Sequence, residues 1–165
     1  MELLKMFIST IILSLLMPIA AEGLDEQVKQ AAAVGLLSGD KPATLKDALG
    51  RTSMRAQWSG NSVTFHDERG RTIGKGTISG DSIRFSDAMG RSDGHANISN
   101  DKVTFYDHTG RRQGEAKRSG NDISFHDELG RKTGSASTSG SSVKFQDGLG
   151  RSKGSASTQK STKKK

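Results

Sequence analysis

Within residues 59–158 five aspartates each precede an arginine by four residues: Asp67/Arg71, Asp87/Arg91, Asp107/Arg111, Asp127/Arg131 and Asp147/Arg151. A carboxylate beside a guanidinium invites an acid–base reading, and His66 and His126 add imidazoles of the kind that ligate metals or move protons. Catalysis needs one asymmetric constellation in a concave pocket, whereas a pair that recurs every 20 residues is better suited to ordering a turn, with Asp bonding the backbone ahead of it and Arg bridging back. In a flat array His66 and His126 lie six strands apart, roughly 29 Å. Ligands of one ion must converge to about 2 Å from it, so a shared metal is not expected. No Walker loop, HExxH, GxSxG or EF-hand spacing occurs, and the glycines follow the same rhythm as the pairs. The sequence predicts no enzyme, metal or cofactor; a hydrolase reading would require a unique cavity around Tyr106 and His108.

These pairs belong to five gapless 20-residue units covering residues 59–158, a repeat architecture. Six positions are identical in every unit: Ser at 1, Phe at 7, Asp at 9, Gly at 12, Arg at 13 and Gly at 16. The Phe series is Phe65, Phe85, Phe105, Phe125 and Phe145; the second Gly series is Gly74, Gly94, Gly114, Gly134 and Gly154. Position 5 is always Val or Ile, and position 18 is Gly or Ala. A degenerate unit over 39–58 keeps Leu45, Asp47, Gly50, Arg51 and Ala56 in register, with Met54 where Gly is expected.

Alternation in Val63-Thr64-Phe65-His66-Asp67 predicts a half-buried strand with Val and Phe on one face. Asp67 to Gly70 reads as a turn, and a second strand runs to Ile78. Ser79-Gly80-Asp81 then suits a two-residue hairpin loop. Across a four-residue Asp-x-x-Gly loop, positions 14, 16, 18 and 20 share the Phe face, so that Phe lies over Gly and Ala, and a ring packed on bare neighbouring backbone accounts for the lack of bulk at positions 16 and 18. A three-residue loop with a Gly bulge changes that face, and the sequence leaves both registers open.

The composition is 32% hydrophobic with no cysteine, which excludes a large core, disulfides and thiolate sites. Lys5, the apolar run Met6–Met17 and Ala20-Ala21 have the layout of a cleavable signal peptide over residues 1–21. Export to the periplasm or beyond is therefore predicted, without a membrane span after cleavage. The formal charge of +7 is concentrated in residues 151–165, which carry six basic residues and no acidic one; residues 22–150 hold 18 Lys/Arg against 17 Asp/Glu. A body so nearly neutral does not attract polyanions by net field.

Gly70-x-x-x-Gly74-x-Gly76 after an aromatic strand resembles the MORN repeat, and the spacing recurs in each unit, with Ala at the third position of the later ones. The period departs from that family, and its strand Gly and Trp are absent. Tyr106-Asp107-His108-Thr109-Gly110-Arg111 is also similar to YD (RHS) repeats, with the aromatic one residue displaced. Both resemblances cover about residues 43–158 and imply hairpin arrays without a catalytic site.

The fold class expected is mainly β, with tandem antiparallel hairpins of about 10–12 strands forming an extended meander or closed barrel. A short helix within residues 22–38 precedes them, with Leu24, Val28, Ala31, Ala32 and Leu36 at helical spacing, and a basic tail, 159–165, follows. One Phe stripe is marginal if left wet, so closure or a partner should cover it. In an open sheet the helix caps only part of the stripe, the first edge lies near Trp58, and the Lys-rich residues after Ser157 guard the last edge. The function expected is a non-catalytic scaffold or interaction module of the cell envelope, binding a protein or polymer along its repeats, with self-association as a further option. The alternative is an anionic-polymer binder, for DNA or lipopolysaccharide, using Arg71, Arg91, Arg111, Arg131, Arg151, Lys160, Lys163, Lys164 and Lys165. Binding specificity should reside in the variable positions 6, 8, 15, 17 and 19.

Overall fold

The repeat closes on itself. In the computed structural model, which describes residues 26–39 and 41–159, helix α1 (Glu26–Leu37) precedes twelve strands: β1 (Lys41–Asp47), β2 (Thr52–Ser59), β3 (Ser62–Asp67), β4 (Thr72–Ser79), β5 (Ser82–Asp87), β6 (Ser92–Ser99), β7 (Lys102–Tyr106), β8 (Arg112–Ser119), β9 (Asp122–His126), β10 (Lys132–Ser139), β11 (Ser142–Asp147) and β12 (Ser152–Gln159). Each strand pairs antiparallel with its neighbours in sequence, and β1 pairs with β12, sealing a barrel. The open-sheet expectation of an edge near Trp58 and another after Ser157 is therefore corrected: closure leaves no edge to protect. The signal-peptide residues, Leu24, and Lys160, Lys163, Lys164 and Lys165 lie outside the described residues.

Closure also changes the role of α1. Twelve strands at ~4.8 Å give a barrel with a backbone radius of roughly 9–12 Å, just enough for a helix and a lining of side chains. Val28, Ala31, Ala32, Ala33, Val34, Gly35 and Leu37 are all buried, which covers every direction around the helix axis. The helix touches β1 and also β7 and β8, on opposite walls, so it threads the lumen instead of capping a sheet. Its small residues suit that place. Gly35 lies against the Trp58 ring, and a Cβ there would fall 2.5 Å from Cη2 and Cζ2. Trp58 is itself fixed by its Nε1–H donating to the Pro42 carbonyl at 3.0 Å.

The five Phe side chains and Val63, Ile83, Val103, Ile123 and Val143 line the lumen, none more than 5% exposed. Phe65 is the Cα partner of Gly74 on one side and Ala56 on the other, as the alternation predicts. The degenerate unit completes the wall with Leu45, Met54 and Ala56, all buried.

The Asp-x-x-Gly loop takes the bulged form. Gly70 N–H donates to the Asp67 carbonyl at 3.0 Å, Asp67 N–H donates to the Arg71 carbonyl at 2.9 Å, and Gly70 has φ +81°. That is a three-residue loop with glycine in the left-handed region. A second bulge at position 15 then restores the face: His66 pairs with Thr72 but Phe65 with Gly74, leaving Ile73 unpaired. Positions 16, 18 and 20 point inward as expected, while position 14 pairs with position 8 and faces out. At the opposite end the two-residue loops carry positive φ at their first residue only, for example Gly80 (+55°) and Asn100 (+49°), as in type II′ turns.

The bulge also explains why position 16 is glycine. The cause is backbone, not the Phe ring. A Cβ on Gly74 would sit 2.8 Å from the Ser86 carbonyl oxygen and one on Gly134 2.6 Å from that of Gln146. Gly94, Gly114 and Gly154 meet the equivalent carbonyls of Tyr106, His126 and Lys46, and adopt φ of +122° to +143° as well. Position 18 has more room, since four of the five units place Ala there.

Candidate interaction surfaces

All six Asp-x-x-Gly-Arg tips, from Asp47–Arg51 to Asp147–Arg151, form one rim of the barrel, and the two-residue loops form the other. The tip is a repeated lock. Asp67 Oδ1 accepts from the N–H groups of Arg69 and Arg71, both at 2.9 Å, and Oδ2 accepts from Arg71 Nε at 2.6 Å. The same three bonds recur at Asp47, Asp87, Asp127 and Asp147.

These bonds hold the carboxyls of Asp47, Asp67, Asp87, Asp127 and Asp147 below their ordinary pKa. At Asp47 and Asp147 the backbone N–H of Arg51 or Arg151 is the largest influence, and at Asp87 it is the Arg91 side chain. At Asp67 and Asp127 partial burial is the largest influence and pushes upward, but the bonds from Arg71 and Arg131 together outweigh it.

Unit three breaks the pattern. Asp107 Oδ2 accepts from Gln113 Nε2 at 3.1 Å, and Oδ1 from the Thr109 hydroxyl at 2.6 Å as well as from the N–H groups of Thr109 and Arg111. The Thr109 hydroxyl is the main reason this carboxyl falls to about 2, against the upward push of burial. Arg111 therefore does not bridge to Asp107 through its side chain, contrary to the repeated-pair expectation. The next residue, Arg112, donates to the Glu128 carbonyl at 2.7 Å and pairs with Glu115 at 3.0 Å.

The outer wall carries the positions that vary between units. Most of it is short and polar, but units two to four differ. His95 and Tyr106, Cα partners on β6 and β7, stack with ring centroids 4.8 Å apart and planes 11° apart. Beside them Glu115 lies between Lys117 (2.7 Å) and Arg112 (3.0 Å). The Lys117 ammonium is the main cause holding Glu115 below the usual carboxylate range, offsetting its partial burial. His126, the Cα partner of Glu115, has a buried Nδ1 without a hydrogen-bond partner. On the other rim Arg118 replaces the apolar or hydroxyl residue of position 20. It donates to the Leu37 carbonyl at 2.6 Å and pairs with Asp101, capping the C-terminal end of α1. Arg118 was missed in the sequence, although it is the one charged residue at an inward position of that series.

His66 and His126 stand on β3 and β9, opposite walls of the ring, and do not meet. No group of three potential ligands occurs among the described residues. Three small clefts open at the tip rim between α1 and the wall. One, of about 90 Å³, is lined by Glu26, Lys29, Gln113 and His126 among others. A second, of about 70 Å³, is lined by Glu26, Gln30, Lys46 and Ser53 among others. The third, of about 250 Å³, has Val28, Ile73, Phe65 and Phe85 with Lys75 and Asp93. Burial raises the Asp93 pKa, with Asp87 adding to it and His108 opposing. Among the described residues, no helix is long and apolar enough to cross a membrane.

No protein-family profile matches the chain, and no curated protein does. A solved structure does match: an X-ray structure of a protein from Arabidopsis thaliana, 11% identical, with a TM-score of 0.51, covering 74% of this chain and 86% of that one. At that identity the likeness concerns the fold alone. The chain's own strand order and the enclosed α1 make it a helix-filled antiparallel β-barrel.

Proposed function

We propose that the protein is an exported, non-catalytic interaction module whose partner, a protein or envelope polymer, binds the outer wall at units two and three. The observation that carries this reading is the filled lumen. In many β-barrels a ligand sits in the interior, but here α1 and the Phe layer occupy it, leaving the wall and rims for recognition. On that wall the His95–Tyr106 stack flanked by Arg112 is the patch richest in the residue types that anchor interfaces. The signal-like residues 1–21 support export, and the six near-identical tips support a structural role for the Asp/Arg pairs. An anionic-polymer partner has less support, because five of the six arginines that close the tips are paired with their own aspartates.

The test is crosslinking in the exporting cell followed by recovery of the protein from the envelope fraction. The wild type should yield a discrete adduct that Tyr106→Ala with His95→Ala abolishes. An adduct unaffected by the pair of substitutions, or retention of the protein in the cytoplasm, overturns the reading.

A further inference from the structure

Four large apolar side chains are left in water, and all of them stand on one rim. Leu49, Met89, Leu129 and Leu149 are 70–80% exposed, each two residues after the Asp of its tip. Exposed apolar residues are normally scattered, and a group of them on one face marks a contact surface. In ring order the six tips carry Leu49, Arg69, Met89, Thr109, Leu129 and Leu149 at that place, and the circle then closes on Leu49. The backbone beneath is uniform. At every tip an Asp oxygen holds the N–H of this residue, and a left-handed glycine follows it.

We propose that a second copy of this chain covers the rim, the two barrels docking tip to tip about a two-fold axis. This surface is separate from the wall patch and does not depend on it. Turning one ring over onto another about an axis in the rim plane brings tips opposite tips in six ways. A single one of these sets apolar against apolar at every apolar tip. Its axis passes through the tips of units two and five, so that Met89 meets Met89, Leu149 meets Leu149, and Leu49 meets Leu129. The charges, which played no part in selecting this register, fit it. The tips of units one and three then face each other and set Glu68 opposite His108 and Arg111, twice by symmetry. Arg111 is the tip arginine whose guanidinium is not tied to its own Asp, and the Glu68 side chain is 66% exposed, with a 3.9 Å contact to Arg69. Glu128 faces Ala48 of the partner copy, so the two loop glutamates never oppose each other. Turning the ring over also reverses each tip, which places every tip Asp opposite an Arg of the other copy.

The contact is large enough to hold. A backbone radius of roughly 9–12 Å with about 5 Å of outward side chain gives a disc on the order of 600–900 Å², against the ~800 Å² per partner of a standard stable interface. A groove of about 380 Å³ between the tips of units one and two is lined by Ile73, Ala88 and Met89 together with Arg71 and Arg91. It borders the axis, where it receives Met89 of the partner copy. The opposite rim has nothing comparable: its two-residue loops are Gly60-Asn61, Gly80-Asp81, Asn100-Asp101, Gly120-Asn121 and Gly140-Ser141.

The test uses the chain from Glu22, which contains the whole closed barrel and the tail, in sedimentation velocity over a range of concentrations. The wild type should run as a dimer. Met89→Lys, which sets two ammonium groups against each other on the axis, should weaken dimerisation on the order of a hundredfold, with unchanged Trp58 fluorescence showing that the barrel is intact. An equal mixture of Met89→Lys and Met89→Glu should restore the dimer. The chain has no cysteine, so single cysteines under mild oxidation read the register. Met89→Cys and Leu149→Cys should each crosslink to themselves, whereas Leu49→Cys and Leu129→Cys should crosslink only to each other. A chain that stays monomeric, even one whose rim captures another protein or a vesicle, overturns the proposal. So does a dimer unmoved by Met89→Lys, or Leu49→Cys pairing with itself as readily as Met89→Cys. His95→Ala with Tyr106→Ala should leave the dimer intact, so failure here and failure of the wall reading are seen separately.

Discussion

Gly35→Ala should reverse the usual sign of a glycine-to-alanine change in a helix. In an exposed helix that change stabilises by about 1 kcal/mol, from backbone entropy and propensity. Here the new Cβ would lie 2.5 Å from two carbons of the Trp58 ring, about 1 Å inside ordinary contact. The ring cannot swing aside cheaply, because its Nε1 is bonded to the Pro42 carbonyl and its faces are packed in the barrel. Overpacking of this kind costs about 1–3 kcal/mol, and the fixed ring argues for the upper end. Subtracting the propensity gain leaves a net loss of about 2 kcal/mol, equivalent to roughly 4–8 °C in the midpoint of a domain this size. The assay is equilibrium denaturation followed by the fluorescence of Trp58, the single tryptophan of the chain. Adding Trp58→Phe should make Gly35→Ala much less costly than it is alone. If Gly35→Ala raises the midpoint, α1 does not lie against Trp58 inside the barrel and the packing argument fails.

Three further outcomes follow from the same geometry. Gly134→Ala should destabilise by about 1–3 kcal/mol, because its Cβ meets the Gln146 carbonyl oxygen, whereas Ala96→Gly at position 18 should cost about 1 kcal/mol or less in thermal unfolding. Phe105→Ala should cost about 3–5 kcal/mol in the same measurement, the usual range for emptying a ring-sized space in a packed interior. Asp107 has a folded-state pKa lowered to about 2 from 3.8. It therefore contributes stability that is fully present above about pH 4 and is lost as pH falls toward 2. Asp107→Asn should flatten that part of the stability–pH curve, and an unchanged acid limb would contradict the bonding described at that tip.

The hairpins were legible because the repeat displays them five times over: a Phe on an alternating strand, a small residue opposite, and Asp and Gly at a turn. Their register was harder. Two bulges per hairpin, at the tip glycine and at position 15, compensate each other, and a residue with no pairing partner, such as Ile73, carries no signature of that role in its side chain. The constancy of Gly134 and its equivalents was visible, but its cause was misassigned to the Phe ring because an approaching carbonyl leaves no trace in composition. Closure and the place of α1 depended on a sum over twelve strands. The run Ala31-Ala32-Ala33-Val34-Gly35, apolar on every side, already belonged to a helix surrounded by protein. Of the site, the repeated Asp/Arg pairs were read correctly as turn devices, while the exception at Asp107 depended on Thr109 and Gln113, whose types allow that bond without requiring it.

The closed ring is most directly tested by joining its ends. The chain has no cysteine, so Lys46→Cys with Ser155→Cys introduces one pair only. These residues are Cα partners across β1 and β12, at a separation within disulfide reach. Mild oxidation should give a monomeric, intramolecular disulfide in high yield, read as a mobility shift reversed by reductant. In an open array the same positions lie eleven strand spacings, roughly 50 Å, apart, and a product that is only intermolecular, or none at all, would contradict the barrel.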